Sequence, residues 1–308
     1  MIATARPARL LCRAIAFCAV VGAFLLYTAA TASANTSLDF WHFNMCGARK
    51  VSPCNAGNEQ PVSDAIKSSI EHYEPDAVSL NEACQSQWAT TLWNLNAAGV
   101  WNMNSRFNST RYLEDPAWDS PVQCNEYDRA RRFGNALFSK QTILKASLLT
   151  SYDLSTDENE KEQRKLWCML VALHYDTYYC TAHIAPTPRE ETAAQIQRVA
   201  NIVNRWVDAG TPVVLMGDFN AQPGDSRMNP IYHPVFGNGA VGRFEEIDQH
   251  QNIGYTRCRC GEVTTDDGAK ADYIFVSARA FEVVYGDAIP SSYSDHSVLR
   301  GSATLLHP

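Results

Sequence analysis

The run Val213-Val214-Leu215-Met216-Gly217-Asp218-Phe219-Asn220 sets a carboxylate and a carboxamide two residues apart at the end of an apolar stretch. An acid there can orient water or a metal ion, and an amide can bind a phosphate oxygen or the nucleophile. If the strand persists, period-two geometry puts Asp218 and Asn220 on one side; a strand end closed by an Asx turn explains the same residues equally well. Near the carboxyl terminus, Tyr293-Ser294-Asp295-His296-Ser297-Val298 places an acid beside a histidine just before another apolar run. That pairing suits general acid–base work, although it also fits an ordinary surface loop. Asp272 opens a third run, Glu82 closes a fourth and Asn44 closes a fifth. Each has a plain structural reading, but together they form one pattern: polar side chains at the ends of apolar runs, in order from Asn44 to His296.

In that order the chain resembles the endonuclease/exonuclease/phosphatase superfamily typified by pancreatic deoxyribonuclease. The family pattern is an asparagine after strand one, a strand-closing glutamate, a G-D-F-N strand end, a later D-x-I/V strand start and a terminal S-D-H. This chain has Asn44, Glu82, Gly217-Asp218-Phe219-Asn220, Asp272 and Ser294-Asp295-His296, while Tyr179-Cys180-Thr181-Ala182-His183 matches the histidine-ended strand of the deoxyribonuclease branch. The resemblance implies an α+β fold, a four-layer α/β/β/α sandwich of two packed, mainly antiparallel sheets flanked by helices, with the site at one rim. It implies that Glu82 is the main magnesium ligand, with Asp295 nearby and Asn44 assisting. Asp218 would position or deprotonate the attacking water, and Asn220 would fix it. His296 would bind the scissile phosphate or donate a proton, oriented by Asp272, and His183 would lie on the leaving-group side. Arg164 falls where the deoxyribonuclease branch has a phosphate-contacting arginine; a solvated charge in an acidic loop is the alternative. Magnesium, which takes few carboxylates and keeps several waters, suits this donor set; manganese is an alternative, and calcium an alternative as a structural ion.

Two departures bear on substrate. Cys46 stands where abasic-site nucleases of the family carry an aspartate, and Asn81 precedes Glu82 where many members have glutamine. The expected activity is a divalent-metal-dependent phosphodiesterase, first a nuclease for DNA, with RNA next. A phosphatase or phospholipase-C-like hydrolase of phosphoinositides, sphingomyelin or small phosphoesters is the rival. A lipid-acting enzyme should expose aromatic side chains, for which Trp93, Trp101, Trp118 and Tyr232 are candidates.

The elements that must position these groups are readable as apolar runs. Strands are expected at Leu38–Asn44, Ala77–Glu82, Ala136–Ser139, Leu166–His174, Tyr178–His183, Val213–Asp218, Asp272–Ser277 and Val298–Leu305. Several are apolar on both faces, as in strands buried between layers. A helix from Pro188 to about Ala209 is expected, capped by Thr187 with Glu190 completing a capping box and burying Ile196, Val199, Val203 and Trp206. A shorter one spans about Ser63 to His72. The polar, acidic stretch Ser151–Gln163 reads as a surface loop.

Residues 1–34 carry Arg6, Arg9 and Arg13, an apolar run and Ala32-Ser33-Ala34. That is the layout of a cleaved secretory signal peptide, leaving residues 35–308 as one domain. Without its three arginines the chain keeps 23 basic residues against 33 acidic ones, about −10 by formal charge. Bulk positive charge therefore does not bind nucleic acid here. Arg129, Arg131 and Arg132 form the densest basic cluster and are candidate substrate contacts, with Asn135 a candidate lining residue. Of ten cysteines, Cys12 and Cys18 fall in the leader. The remaining eight, in an exported chain, read as disulfides: Cys46–Cys54, Cys168–Cys180 and Cys84–Cys124 are the expected pairs, and Cys258–Cys260 is disfavoured because a one-residue loop is strained. A zinc site is the rival, weakened by the absence of a CxxC pair. The reading is of an extracellular monomer without a stable protein partner or a membrane span after cleavage.

Overall fold

The computed structural model describes residues 35–47, 54, 59–97, 104–110, 124, 133–144, 150–155, 162–249 and 258–306. The leader, Trp101, Trp118 and the arginines 129, 131 and 132 lie outside the described residues.

One sheet contains β1 (Thr36–Asn44), β2 (Ala77–Cys84), β3 (Asn104–Thr110), β4 (Phe133–Ser139), β11 (Phe281–Ile289) and β12 (Val298–Leu305), in the order β11-β12-β1-β2-β4-β3. The other contains β5 (Thr150–Asp153), β6 (Lys165–Val171), β7 (Thr177–His183), β8 (Val213–Asp218), β9 (Phe244–Glu246) and β10 (Asp272–Ser277), in the order β5-β6-β7-β8-β10-β9. Each has one parallel pair, β1 with β2 and β7 with β8; the remaining pairs are antiparallel.

Strand alternation sorts the side chains into layers. Leu38, Phe40 and Ala77 from the first sheet meet Trp167, Met169, Tyr179, Val214, Met216 and Ile274 from the second. The opposite face of the first sheet, with Trp41, Phe43, Val78 and Leu80, is covered by Val62, Ile66 and Ile70 of α1 (Glu59–Tyr73) and Leu95 of α2 (Gln85–Ala97). The outer face of the second sheet is covered by Ile196, Val199, Ala200 and Val203 of α3 (Arg189–Asp208). Helix, sheet, sheet, helix is the expected four-layer sandwich. No helix among the described residues is long and apolar enough to cross a membrane.

Four expectations change, the last of them among the disulfides. The residue before α3 is Pro188, with ψ 163° and no side-chain cap. The helix therefore starts one residue too late for Thr187 and Glu190 to form a capping box. Its entry is tied instead by Gln195 Oε1, which accepts from Ala185 N at 2.9 Å, and by the Thr192 hydroxyl, which donates to Ala185 O at 2.8 Å. The stretch expected as loop from Ser151 contributes Ser151–Asp153 to β5, because those residues pair with Lys165–Trp167. Tyr232 offers nothing to a membrane: it is fully buried, with its hydroxyl donating to Glu246. Trp93 is 73% exposed.

Cys46–Cys54, Cys84–Cys124 and Cys168–Cys180 are bonded, and so is the disfavoured pair Cys258–Cys260. With these eight sulfurs in disulfides, no thiolate remains for zinc among the described residues.

Candidate active site

Topology brings the chemistry-bearing residues to one rim. The parallel ladder of β1 and β2 ends there with Asn44 opposite Asn81, and Glu82 follows directly. Parallel β7 and β8 end there with His183 opposite Asp218. Because β10 runs antiparallel to β8, its first residue, Asp272, lies opposite Asp218. Because β12 runs antiparallel to β1, the Ser294-Asp295-His296 loop before it reaches the same end.

Two backbone devices shape this rim. Glu82 has φ 51° and Asn220 has φ 47°, conformations that cost an ordinary side chain about 1 kcal/mol or more. At Glu82 the ladder to β4 shifts register between Leu80 and Ala83, re-aiming the carboxylate as a bulge does. At Asn220 the strand has ended, so period-two geometry does not place the amide. An Asx turn does: Asp218 Oδ1 accepts from Asn220 N at 2.9 Å, while Asn220 Nδ2 donates to Ile184 O at 2.8 Å. The segment is a strand end closed by an Asx turn, and that turn sets the position of the Asn220 amide.

At the centre, Asn44 Nδ2 donates to both Glu82 Oε1 (3.2 Å) and Asp218 Oδ2 (3.1 Å). His183 Nε2 stands 3.7 Å from each of the same two oxygens. On the other side, His296 Nε2 is 3.9 Å from Asp218 Oδ2, and its Nδ1 is 2.7 Å from Asp272 Oδ2. The loop carrying His296 is pinned to β1, since Ser294 Oγ donates to Asn44 O at 2.7 Å and accepts from His296 N at 3.1 Å.

Burial and charge then set the protonation states. Burial alone would lower the His296 pKa. The Asp272 charge and hydrogen bond, with the charges of Asp218 and Asp295, overcome that and lift it to about 10. Burial would raise Asp272, yet the charge and hydrogen bond of His296 and the bond to His42 hold it well below the usual carboxylate range. Asp218 is pushed up, first by burial and then by the Asp272 charge. Adjacent carboxylates with opposite shifts are how one site holds a fixed anion beside a proton acceptor.

The other candidates fall as follows. Arg164 is 8% exposed and is not a solvated loop charge: Nη1 lies 2.7 Å from His183 Nδ1 and Nη2 lies 3.1 Å from Glu162 Oε2. A guanidinium only donates, so His183 Nδ1 accepts and Nε2 carries the proton, facing Glu82 and Asp218. Asp295 has Oδ1 3.5 Å from Cys54 Sγ, a sulfur held in a disulfide. Asn135 is buried, its Oδ1 accepting from Asn81 Nδ2 at 3.0 Å.

Five residues joined to the site had been given no role from sequence. Asn81 Oδ1 accepts from Asp218 N (2.9 Å) and its Nδ2 donates to Thr181 Oγ1 (3.0 Å), bolting one sheet to the other. His42, Ser79 and Thr181 lie beneath it, and Glu162 lies beside His183. The available signal was a polar residue two positions before a site residue in the same apolar strand: His42 before Asn44, Ser79 before Asn81 and Thr181 before His183.

A family model for the endonuclease/exonuclease/phosphatase family matches residues 35–296. The chain belongs to this family. Solved structures agree on the fold. An endonuclease/exonuclease/phosphatase from Beutenbergia cavernae has a TM-score of 0.63 at 21% identity over 87% of this chain and 72% of that one. The human nocturnin catalytic domain with bound sulfate has 0.62 at 19% over 88% and 98%. A mannosyl-6-phosphatase from Bacteroides thetaiotaomicron has 0.61 at 13% over 88% and 100%. No curated protein matches in sequence. This member of the family is a hydrolase acting on phosphoester bonds, in a family that depends on a divalent metal.

The rim's donors fit such an ion. Glu82 Oε1 and Asp218 Oδ2 share the same two N–H neighbours, so two carboxylate oxygens converge on one place. Oxygen donors without thiolates select a hard cation. Asp218, Asp272 and His296 also form a cluster with atoms within 4.8 Å, but Asp272 there is already bound by two imidazoles.

Proposed function

We propose that the chain is a secreted, magnesium-dependent phosphodiesterase that hydrolyses nucleic acid, DNA first. The observation carrying this reading is the placement of two imidazoles on either side of Asp218, at 3.7 and 3.9 Å. A phosphodiester loses an alkoxide, so an N–H donor opposite the water-side base has work to do at the leaving oxygen. Glu82, with Asn44 and Asp295, would hold the magnesium ion, which supplies charge neutralisation at the phosphoryl oxygens. Asp218, its affinity for protons raised, aligns a water with phosphorus and takes its proton as the new P–O bond forms. His296, charged and braced by Asp272, binds a non-bridging oxygen, and Asn220 holds the water. The leaving P–O bond breaks as His183 donates a hydrogen bond from Nε2–H to the departing oxygen, which takes its proton from solvent. Arg164, beside His183, is the phosphate contact on that side. The arginines 129, 131 and 132 would supply the local positive charge that the acidic chain otherwise lacks. The arginine-led apolar leader and its small-residue end support export, and the disulfides suit an oxidising compartment.

The test is the purified protein on plasmid DNA, RNA, bis-nitrophenyl phosphate, mannose 6-phosphate and phospholipid, with magnesium or chelator. DNA should be degraded with magnesium and spared with chelator, and Asp218→Ala should lower turnover on the order of 100-fold or more. Intact DNA beside a hydrolysed monoester or lipid would transfer the assignment to the phosphatase or phospholipase-C-like reading.

A further inference from the structure

We propose that His42 is a positioning residue of this site: it holds the Asp272 carboxylate in the orientation that grips His296, and a hydroxyl relay from Thr181 and Ser79 holds His42. The inference rests on the site reading above and adds a group that no motif marked.

Asp272 is fully buried, and each of its oxygens faces an imidazole: Oδ2 meets His296 Nδ1 at 2.7 Å and Oδ1 meets His42 Nε2 at 3.2 Å. A carboxylate anchored through one oxygen can still turn about its broad final torsion. A second bond on the other oxygen, from a different strand, removes that freedom. His42 lies on β1, two residues before Asn44 and on the same face, so one strand carries both the amide that joins Glu82 to Asp218 and the imidazole that fixes Asp272.

The proton inventory assigns each role. An ionised carboxylate only accepts, so His42 Nε2 carries a hydrogen. In a neutral imidazole Nδ1 then accepts, and its neighbour is Ser79 Oγ at 3.0 Å. The Ser79 hydroxyl must donate to it, which turns its lone pairs toward Thr181 Oγ1, 2.8 Å away. Thr181 in turn accepts from Asn81 Nδ2 at 3.0 Å. Every member is satisfied, and all donors point toward Asp272: Asn81, Thr181, Ser79, His42. Among the described residues, none of these four has an orphaned buried polar atom. The same face of β1 otherwise carries Leu38 and Phe40 into the apolar layer between the sheets. An apolar side chain at position 42 would continue that layer without the desolvation that an imidazole incurs. What the imidazole adds is the bond to Asp272.

The experiment compares His42→Leu, which deletes the donor, with His42→Gln, whose amide N–H can stand near the Nε2 position. Both are measured with magnesium and bis-nitrophenyl phosphate, alone and in an Asp272→Asn background. Ile66→Ala, in the core under α1, controls for lost stability. We expect His42→Leu to lower kcat on the order of tenfold or more with KM little changed, His42→Gln to recover most of it, and Ile66→Ala to retain wild-type kcat. In the Asp272→Asn background His42→Leu should add no further loss, because both act through one carboxylate. The His296 Nδ1 proton, followed by NMR, should shift in His42→Leu and not in Ile66→Ala. If His42→Leu does not fold, Ser79→Ala, which removes only the relay, should show the same non-additivity and the same shift. Multiplicative losses, failure of glutamine to rescue, or an unmoved His296 proton would each overturn the proposal. A wild-type protein inert on every phosphoester, with the His296 proton still responding to position 42, would sink the assigned activity and leave the positioning intact. An active His42→Leu enzyme with wild-type kcat would do the reverse.

Discussion

Asp272 decides the behaviour of its neighbours because its charge is fixed while theirs are not. His296, lifted to about 10 from an ordinary 6.5, is held as an imidazolium in the folded chain. The sign of the consequence follows from linkage. The fold binds this proton more tightly than the unfolded chain, so the resulting stability is complete below about pH 6.5 and is lost as pH rises toward 10. In chelator, the wild-type melting temperature should fall more steeply between pH 7 and pH 10 than that of His296→Ala; parallel slopes would show that Asp272 does not hold this proton. The residues carrying motifs were legible in the sequence because they sit at strand ends, where polarity interrupts an apolar run. His42, Ser79 and Thr181 were not, since a single polar residue inside such a run reads as tolerated core. His42 and Ser79 meet within one sheet, and the other sheet, brought against them by folding, supplies the remaining partners.

Legibility at the scale of elements divides along the sheets. All eight interior strands coincide with apolar runs, and β8, β10 and β12 have the expected bounds. All four edge strands, β3, β5, β9 and β11, were missed. An interior strand has both faces covered and so reads as continuous hydrophobicity. β3 and β5 are half exposed and polar, β11 alternates between buried and exposed residues before its buried stretch ends, and β9 has three residues, too few for periodicity to register. α2 was missed for a related reason: two of its three buried side chains are Gln87 and Thr91. The interior pair that matters most for the site is β7 with β8, and Gly217 governs it. A Cβ at Gly217 would lie 1.9 Å from Ala182 O, and its φ of 147° is one that side chains rarely adopt. Gly217→Ala must therefore push apart the two strands whose ends carry His183 and Asp218. We expect a loss of about 2 kcal/mol or more in denaturant unfolding together with a kcat loss exceeding that of Ile66→Ala, which unseats no site residue. Equal kcat in the two variants would mean that the spacing of β7 and β8 does not set the catalytic geometry.

For the whole molecule, the disulfides separate stability from site geometry. Cys168 and Cys180 face one another across the β6–β7 ladder, inside a layer that α3 covers. Their bond constrains the unfolded chain, about 3 kcal/mol for a loop of this order, and touches no rim residue. Two of the other three pairs follow the rim directly. Cys46 comes two residues after Asn44, its N–H donating to Asn44 Oδ1 at 3.1 Å, and its partner Cys54 lies against Asp295. Cys84 comes two residues after Glu82 and is bonded to Cys124. Between them, Gly47 N donates to Glu82 O at 2.9 Å, tying one loop to the other. The two groups of cross-links should thus fail differently. Replacing Cys168 and Cys180 with alanine should lower the unfolding free energy by a few kcal/mol while kcat and the magnesium concentration for half-maximal rate stay near wild type. Replacing Cys46 and Cys54 should raise that magnesium concentration on the order of tenfold, because Asn44 loses its acceptor bond's anchor and Asp295 its neighbour, even where the melting temperature falls less. A magnesium requirement that tracks lost stability alone, whichever pair is removed, would show that the rim cystines act only as staples of the fold and leave the metal-side residues where they were.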